Sequence, residues 1–375
     1  MSGARHLYVH LPFCASRCGY CDFVTVVGRV GRHDEYVDAL LAELELERGH
    51  LADRVETVFL GGGTPTFTDP EALRRILRVL PAAQEVTVEA NPETVTPAVA
   101  RLLAEERVNR ISLGAQSFKP HLLATLERRA RPDDVRRAFY HFRDVNFDNI
   151  SLDLIYGIPG QSPADLEADI DDALALGPEH LSCYELEAKP GTRFAYAHGE
   201  ELVRQADAME GYFERVIERL TAAGYRWYET ANFCLEAARA GGRDLRARHN
   251  LGYWLGHDYL GIGIGAVSTV GGIRWQNTPR LEAYIGALGG GERPSREVER
   301  LSVATRREER VMLGLRLDDG LPLEPALAAV DAAALDRLQR GGLAERRAGE
   351  DGGEALALTA RGRRLGDAVT AELLA

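Results

Sequence analysis

Short apolar runs alternate with longer amphipathic segments along the first 225 residues of the chain. The apolar runs have the length and the β-branched content that are typical of buried strands. In the segments between them, apolar residues recur every three or four positions, often after a proline or an aspartate, which indicates helices. The pattern predicts six strands, at residues 7–11, 57–60, 85–90, 110–115, 149–157 and 180–187.

Helices are predicted between these strands and after the last one. Strands and helices in regular alternation form parallel sheets with right-handed crossovers. The sequence therefore predicts an α/β fold, a partial TIM-like barrel of the (β/α)6 type, with its chemistry at the carboxyl ends of the strands. The predicted helices cover residues 36–49, 70–80, 97–106, 121–142, 163–176 and 206–223.

A different pattern begins near residue 224. An aromatic and glycine-rich stretch comes first, and from about residue 300 helices precede two short strand-like pieces that flank a charged glycine turn. This order predicts a C-terminal α+β extension that includes a winged-helix-like unit from about residue 300. We expect a barrel domain over residues 1–235 and a C-terminal domain over residues 236–375.

Composition and charge indicate which classes of binding partner are compatible with the chain. The chain has 375 residues and a formal net charge of −12, so it lacks the positive charge expected of a nucleic-acid-binding protein. Arginines near the C-terminus are interspersed with acidic residues, which favours a solvated surface over a contact with DNA. The N-terminus has no signal-peptide pattern and no apolar run could span a bilayer, so we expect a cytoplasmic protein without a transmembrane segment.

Three of the five cysteines lie in one loop directly after the first predicted strand. Cys14, Cys18 and Cys21 have the spacing C-x-x-x-C-x-x-C. A zinc site would need further ligands, but Cys183 and Cys234 stand alone and are predicted to be buried in the core. Three thiolates without a fourth suit a 4Fe-4S cluster, in which one iron stays open for another ligand.

Glycine and polar residues follow the next strands. The sequence GGGTPT, residues 61–66, comes after the second strand, and Glu89, Gln116 and Asp153 lie on the three strands after it. Taken alone, each of Glu89, Gln116 and Asp153 is as often a capping or solvent-facing residue as a ligand-binding one. Together on one barrel face, they predict a ring of donors and acceptors around a ligand that the glycine backbone approaches closely.

The cysteine spacing resembles that of the radical S-adenosylmethionine superfamily. The resemblance implies that S-adenosylmethionine binds the open iron through its amino and carboxylate groups and is cleaved to a 5'-deoxyadenosyl radical. A longer series of motifs is similar to that of the oxygen-independent coproporphyrinogen III oxidase group, HemN, and its relative HemW, the heme chaperone. From residue 7 to about residue 268, these motifs are YVHLPFC, CDF, GGGTPT, EANPE, GAQSF, DLIYGIPGQ, PGT and RHNLGYWLGHDYLGIGIGA.

The resemblance also implies which residues contact S-adenosylmethionine. The stretch ERRARPDD departs from the usual family pattern, so Arg129 and Arg131 are alternatives to Arg128. The implied set is Tyr8, Gly62, Gly63, Thr64, Glu89, Gln116, Arg128 and Asp153.

Two features separate the relatives within this group. The oxidases resemble one another in a longer N-terminal arm and in a fourth cysteine two residues after the third, where this chain has Phe23 and only 13 residues before Cys14. His249 opens the H-N-x-x-Y-W sequence associated with heme binding in the HemW group, and histidine is a common axial ligand of heme iron. The alternative is a hydrogen-bonded structural role for His249, and His10 and His257 are weaker competitors for the iron.

These features predict a heme chaperone that carries a 4Fe-4S cluster, an S-adenosylmethionine site and heme, and that transfers heme to an acceptor protein. The sequence does not identify the acceptor protein, which could belong to the respiratory chain. It is also compatible with a homodimer. The alternative is an oxygen-independent coproporphyrinogen III oxidase, which decarboxylates two propionate side chains of its substrate. Without the fourth cysteine, we do not expect an active coproporphyrinogen III dehydrogenase.

Overall fold

The strands predicted for the barrel are all present. The computed structural model describes residues 3–189, 192–349 and 352–374, so Pro190 and Gly191 of the PGT motif lie outside the described residues. The barrel strands begin and end close to the predicted positions. They are β1 His6–Leu11, β2 Thr57–Gly62, β3 Glu85–Ala90, β4 Arg110–Gln116, β5 Ile150–Tyr156 and β6 His180–Glu185.

The helices that connect these strands differ from the prediction in two places. The helix predicted over residues 121–142 is wrong, because the chain leaves the helix after Thr125 and restarts at Pro132, which disfavours a helical residue before it. The last helix is longer than predicted. The helices are α1 His33–Glu47, α2 Pro70–Val79, α3 Pro97–Glu105, α4 Pro120–Thr125, α5 Pro132–Asp144, α6 Pro163–Leu176 and α7 Arg193–Ala222.

Several of these helices begin with a proline directly after a capping side chain. Asp69 accepts hydrogen bonds from two backbone N–H groups at the start of α2, Thr96 accepts one at the start of α3, and Ser162 forms a capping box with Asp165 in α6. Proline is favourable at the first helical position because its missing N–H would have no partner there. These starts fix where each strand-to-helix loop ends.

Six further strands join the barrel strands: β7 Tyr225–Trp227, β8 Asn232–Leu235, β9 Tyr259–Ile262, β10 Val267–Val270, β11 Ile273–Asn277 and β12 Arg296–Arg300. Together they form one twelve-stranded sheet of the described residues, in the order β12-β11-β10-β9-β1-β2-β3-β4-β5-β6-β8-β7. Strands β9 and β1 to β6 run parallel, and the strands at both edges are antiparallel. The parallel strand β9 was missed by the sequence prediction.

The remaining chain packs around a core of its own. One hydrophobic cluster extends from Ala4 to Leu288, and a second extends from Val311 to Leu373. The second surrounds a three-stranded antiparallel sheet, β13 Leu321–Pro322, β14 Ala344–Ala348 and β15 Glu354–Leu358. Two helices precede this unit, α8 Arg248–Trp254 and α9 Leu281–Gly289, and α9 packs in the first cluster. The helices of the unit are α10 Val303–Gly314, α11 Leu323–Leu327, α12 Ala332–Arg340, α13 Ala360–Arg364 and α14 Gly366–Leu373.

The two strand-like pieces predicted near the C-terminus correspond to β14 and β15. Glu350 and Asp351 of the charged turn between them lie outside the described residues. The winged-helix-like character of this unit and the division of the chain between residues 235 and 236 stay predictions. Within the described ranges, no helix has the length and apolar character needed to cross a membrane.

Candidate functional site

A cavity of about 600 Å³ opens at the carboxyl ends of the barrel strands. The side chains that line it come from the cysteine loop and from β2 to β6, which is the arrangement a parallel barrel favours. Tyr8 and His249 lie elsewhere. The other predicted site residues line this cavity: Cys14, Cys18, Cys21, Gly62, Gly63, Thr64, Glu89, Gln116, Arg128 and Asp153.

A chain of polar contacts joins two of the three thiols. The Sγ atom of Cys14 lies 3.4 Å from the Thr64 hydroxyl, which accepts a hydrogen bond of 2.8 Å from the Asn91 amide. The Arg128 guanidinium donates to Asn91 Oδ1 over 2.9 Å and to Cys18 Sγ over 3.5 Å. These contacts hold the cysteine loop against the ends of β2 and β3.

The three thiols suit a cluster better than a single metal ion. Burial raises the pKa of the Cys14 thiol to about 11, and burial also raises the pKa of Cys21. Over the described ranges, no group of three or more His, Cys, Asp or Glu side chains could hold one metal ion. A 4Fe-4S cluster does not need three side chains that meet at one metal ion, because each thiolate binds a different iron. Binding to the metal also deprotonates the thiol, so a raised thiol pKa does not prevent it. The assignment of Cys14, Cys18 and Cys21 as its ligands stays a prediction.

The glycine triplet makes room for the groups around it. A Cβ atom at Gly61 would lie 2.7 Å from the Glu89 carboxylate, and one at Gly63 would lie 2.5 Å from the Pro12 backbone. Gly62 has a φ angle of 104°, in the region that favours glycine. The triplet therefore brings β2 directly against the cysteine loop and against the carboxylate on β3.

Two partly buried carboxylates face the cavity. Glu89 accepts a hydrogen bond of 3.0 Å from the Gly62 N–H, and burial raises the pKa of Glu89 to about 7. Asp153 accepts hydrogen bonds from the hydroxyls of Ser112 and Ser151, and burial raises its pKa as well. Both carboxylates can accept hydrogen bonds from the amino or hydroxyl groups of a ligand.

Gln116 adopts an unusual backbone conformation at the end of β4. Its φ angle is 65°, and the register between β4 and β5 shifts between Gly114 and Gln116. Non-glycine residues in this region cost free energy and are concentrated at functional sites. The bulge places Gln116 on the cavity wall.

The structure also distinguishes the candidate arginines. Arg128 lies in the chain between α4 and α5, and its guanidinium donates a further hydrogen bond of 2.9 Å to the Gly114 carbonyl. Although burial opposes its charge, the neighbouring Tyr20 and Cys18 side chains raise the pKa of Arg128 above its ordinary value. Arg129 and Arg131 line other surface pockets. Of the three arginines, Arg128 is the one that lies at the cysteine cavity.

Tyr8 lies behind the cavity wall. Its ring stacks on Phe59, which lines the cavity, with 6.1 Å between the ring centres. Its hydroxyl lies 3.0 Å from His10 Nδ1, and His10 Nε2 lies 2.8 Å from the Val24 carbonyl. A direct contact between Tyr8 and S-adenosylmethionine stays a prediction.

His249 is buried at the opposite end of the strands, where β2 and β3 begin. Its Nδ1 atom lies 2.7 Å from the Thr57 hydroxyl, and its Nε2 atom lies 2.9 Å from the Tyr253 hydroxyl. The His249 backbone N–H donates to Glu85. Burial lowers the pKa of the imidazole to about 3, so it is neutral. Both ring nitrogens have protein partners, and the predicted heme ligation would require His249 to leave one of them.

Comparison with known proteins decides the family. The model of the radical SAM superfamily matches residues 8–173. The heme chaperone HemW of Mycobacterium tuberculosis is 39% identical, over 98% of this chain and 94% of the relative. The chain belongs to the HemW family. HemW of Bacillus subtilis is 34% identical over 84% of each chain.

Escherichia coli coproporphyrinogen III oxidase, HemN, has a similar fold, with a TM-score of 0.80, 25% identity and coverage of 99% of this chain and 90% of that chain. The resemblance read from the motifs and the α/β radical SAM fold are therefore confirmed.

Phe23, the position that the sequence resemblance contrasts with a cysteine of the oxidases, is also part of this cavity. Its side chain is 63% exposed. A residue this exposed contributes little to the core, so burial does not explain the phenylalanine here.

Several residues at the cavity were not predicted from the sequence. Asn91 belongs to the EANPE motif, but its role depends on Arg128, which is distant along the chain. Arg110 is buried at the start of β4, lines the cavity and has no hydrogen-bond partner for its Nε atom among the described residues. Further lining residues that were not predicted include Tyr20, Ser112, Ser182, Tyr184 and Asn250.

Proposed function

We propose that this protein is a heme chaperone, which binds heme and transfers it to an acceptor protein. The observation that carries the proposal is the 39% identity to the M. tuberculosis heme chaperone HemW along 98% of the chain. The phenylalanine at position 23, where the oxidases resemble one another in having cysteine, supports the same function. An acceptor from the respiratory chain and a homodimer belong to this proposal.

The radical SAM part of the molecule supplies two further groups. Cys14, Cys18 and Cys21 would hold a 4Fe-4S cluster, and the cavity beside them would hold S-adenosylmethionine. The chemistry that the cluster supplies is the transfer of an electron to the bound sulfonium. Around it, Glu89 and the Gly62 backbone would orient the methionine amino group, and the described contacts keep these groups in place before the ligand binds.

Anaerobic protein with a reconstituted cluster allows a direct test. We expect one heme per chain by absorbance titration, transfer of that heme to the apo form of a b-type cytochrome, and no turnover of coproporphyrinogen III. Conversion of coproporphyrinogen III at a catalytic rate would instead assign the chain to the oxidase function. Failure to bind heme would contradict the chaperone function itself.

A further inference from the structure

A second cavity, of about 710 Å³, lies between the barrel and the C-terminal unit. Tyr156 and Cys183 contribute to it from β5 and β6, and Phe213 and Trp227 contribute from α7 and β7. Its opposite wall comes from α10, α13 and α14 of the C-terminal unit. The volume is within the range of sites that hold large organic ligands.

This cavity is next to the cysteine cavity. Tyr184, Glu185 and Glu187 line both of them. These residues follow one another at the carboxyl end of β6, so one short segment forms a shared wall. A ligand in the second cavity would therefore lie beside the predicted cluster and S-adenosylmethionine site.

The second cavity contains an arginine whose hydrogen-bonding capacity is only partly used. The Arg363 guanidinium lies 3.6 Å from the centre of the Trp227 ring and donates one hydrogen bond of 2.9 Å to the Trp227 carbonyl. Its Nε and Nη2 atoms are buried and have no partner among the described residues. Burial lowers the pKa of Arg363 to about 10, so the side chain is still positively charged at neutral pH. An anionic group would satisfy these unpaired donors.

A second arginine connects this cavity with the H-N-x-x-Y-W motif. Arg316 lines the cavity, its guanidinium lies 4.6 Å from the Trp254 ring centre, and its buried Nε atom also lacks a partner in the described part of the chain. Trp254 is the last residue of the motif. The tryptophan of the motif therefore contacts a residue that lines this cavity, whereas His249 is buried in the barrel and Asn250 lines the cysteine cavity.

The acidic groups near the cavity leave these arginines available. The carboxylates of Glu185, Glu187 and Asp367, which line it, are exposed to solvent. Asp318 is paired with Arg226. The buried Glu229 does not line the cavity and accepts hydrogen bonds from Asn232 and from the Ala231 N–H; burial raises its pKa, whereas the charges of Arg316 and Arg363 lower it. The interior of the cavity is thus apolar, aromatic and positively charged at two points.

We propose that heme binds in this second cavity, with its apolar ring against Phe213 and the apolar side chains of α10, and with a propionate carboxylate paired with Arg363, which covers a face of the Trp227 ring. This inference rests on the proposed heme-chaperone function and gives that function a location. Aromatic rings pack well against a flat macrocycle, and a guanidinium pairs with a carboxylate through two parallel hydrogen bonds. Heme in this cavity lies away from His249, so binding does not require His249 to leave Thr57.

Titration of hemin into the full-length protein, followed by Soret absorbance, tests the location. We expect Arg363→Gln to weaken binding about tenfold or more, because one charged hydrogen-bonded pair is lost. Ala368→Phe, which adds a bulky group at an exposed position of the lining, should weaken binding as well. Arg361→Gln is the matched control, because Arg361 is exposed on the same short helix and should bind hemin like wild type.

Two iron-free porphyrins distinguish the contribution of the carboxylate to binding from that of the iron. Protoporphyrin IX without iron should show the same dependence on Arg363, and its dimethyl ester should not. If Arg363→Gln and Ala368→Phe bind hemin like wild type while His249→Ala loses it, the inference is overturned and His249 marks the site. If wild-type protein binds no heme at all, the chaperone function itself is overturned.

Discussion

A hydrogen bond of 2.7 Å joins Nδ1 of His249 to the hydroxyl of Thr57, the first residue of β2. The same hydroxyl lies 2.8 Å from Nδ1 of His6, whose Nε2 atom lies 3.0 Å from His257. One threonine thus connects two buried imidazoles at the amino-terminal end of the barrel. This position gives His249 a structural role whether or not it contacts heme.

Thr57→Val should therefore destabilise the protein. Two buried ring nitrogens lose a partner, so we expect the free energy of unfolding to fall by about 1–3 kcal/mol, measured by urea denaturation. Thr221→Val is the control, because Thr221 is exposed and its hydroxyl donates to backbone carbonyls of its own helix. This change should alter stability by less than about 0.5 kcal/mol. Equal stability of the two variants would show that the Thr57 contacts contribute nothing.

The cysteines allow a prediction with internal controls. Changing Cys14, Cys18 or Cys21 to Ala should remove most of the bound iron and the visible absorbance of the anaerobically reconstituted protein, since each thiolate holds a different iron. Cys183→Ala and Cys234→Ala should keep both, because these two residues are buried in apolar surroundings. Normal iron content in a Cys18→Ala variant would contradict the proposed ligand set.

The barrel strands could be predicted because each is a local apolar run, and their order follows from short crossovers. Strand β9 could not be predicted, because the glycine-rich sequence YLGIGIG resembles that of a loop. The structure shows why they are there: a Cβ atom at Gly261 would lie 2.2 Å from the Val267 carbonyl oxygen, and one at Gly263 would lie 2.8 Å from that of His10. Close approach to neighbouring backbone, which only the fold reveals, requires glycine at both positions.

Residues of the cysteine cavity could be predicted where they belong to a sequence motif. They could not be predicted where their position depends on a contact with a residue distant in the sequence. The spacing of the cysteines indicates the thiol site, and the glycine triplet, a weak signal by itself, gains its meaning together with the cysteine loop. By contrast, the contact of Arg363 with Trp227 joins residues 136 positions apart, and nothing near either residue in the sequence indicates a shared cavity.

Gly63→Ala tests the contact between the glycine triplet and the cysteine loop. The added methyl group would lie 2.5 Å from Pro12 backbone atoms, which cannot move without displacing the loop. We expect a loss of about 1–3 kcal/mol in stability and a lower iron content after reconstitution. Gly286→Ala provides the comparison: it lies in α9 with open space around it, so stability should be unchanged or higher by up to about 1 kcal/mol. Full iron content in Gly63→Ala would show that the loop accommodates the methyl group.

The Glu89 carboxylate should make the binding of S-adenosylmethionine depend on pH. Burial is the main cause that raises the pKa of Glu89 from 4.5 to about 7, and the nearby Asp153 charge adds to it. An amino group of the ligand is attracted by the ionised form, so affinity should increase as the pH rises from about 6 to about 8. Folding has the opposite dependence: the folded protein retains a proton that the unfolded chain releases, so this residue's contribution to stability falls between about pH 4.5 and pH 7.

Glu89→Gln should remove both dependences, because the amide does not titrate in this range. Calorimetric titration of S-adenosylmethionine into cluster-loaded protein at about pH 6, 7 and 8 measures the dependence of binding. Urea denaturation between about pH 4.5 and pH 7 measures the dependence of stability. Glu93→Gln, at an exposed position four residues later, should keep the wild-type profile. If Glu89→Gln binds S-adenosylmethionine with the wild-type pH dependence, another group governs the titration, and Asp153, with its own raised pKa, is the next residue to change.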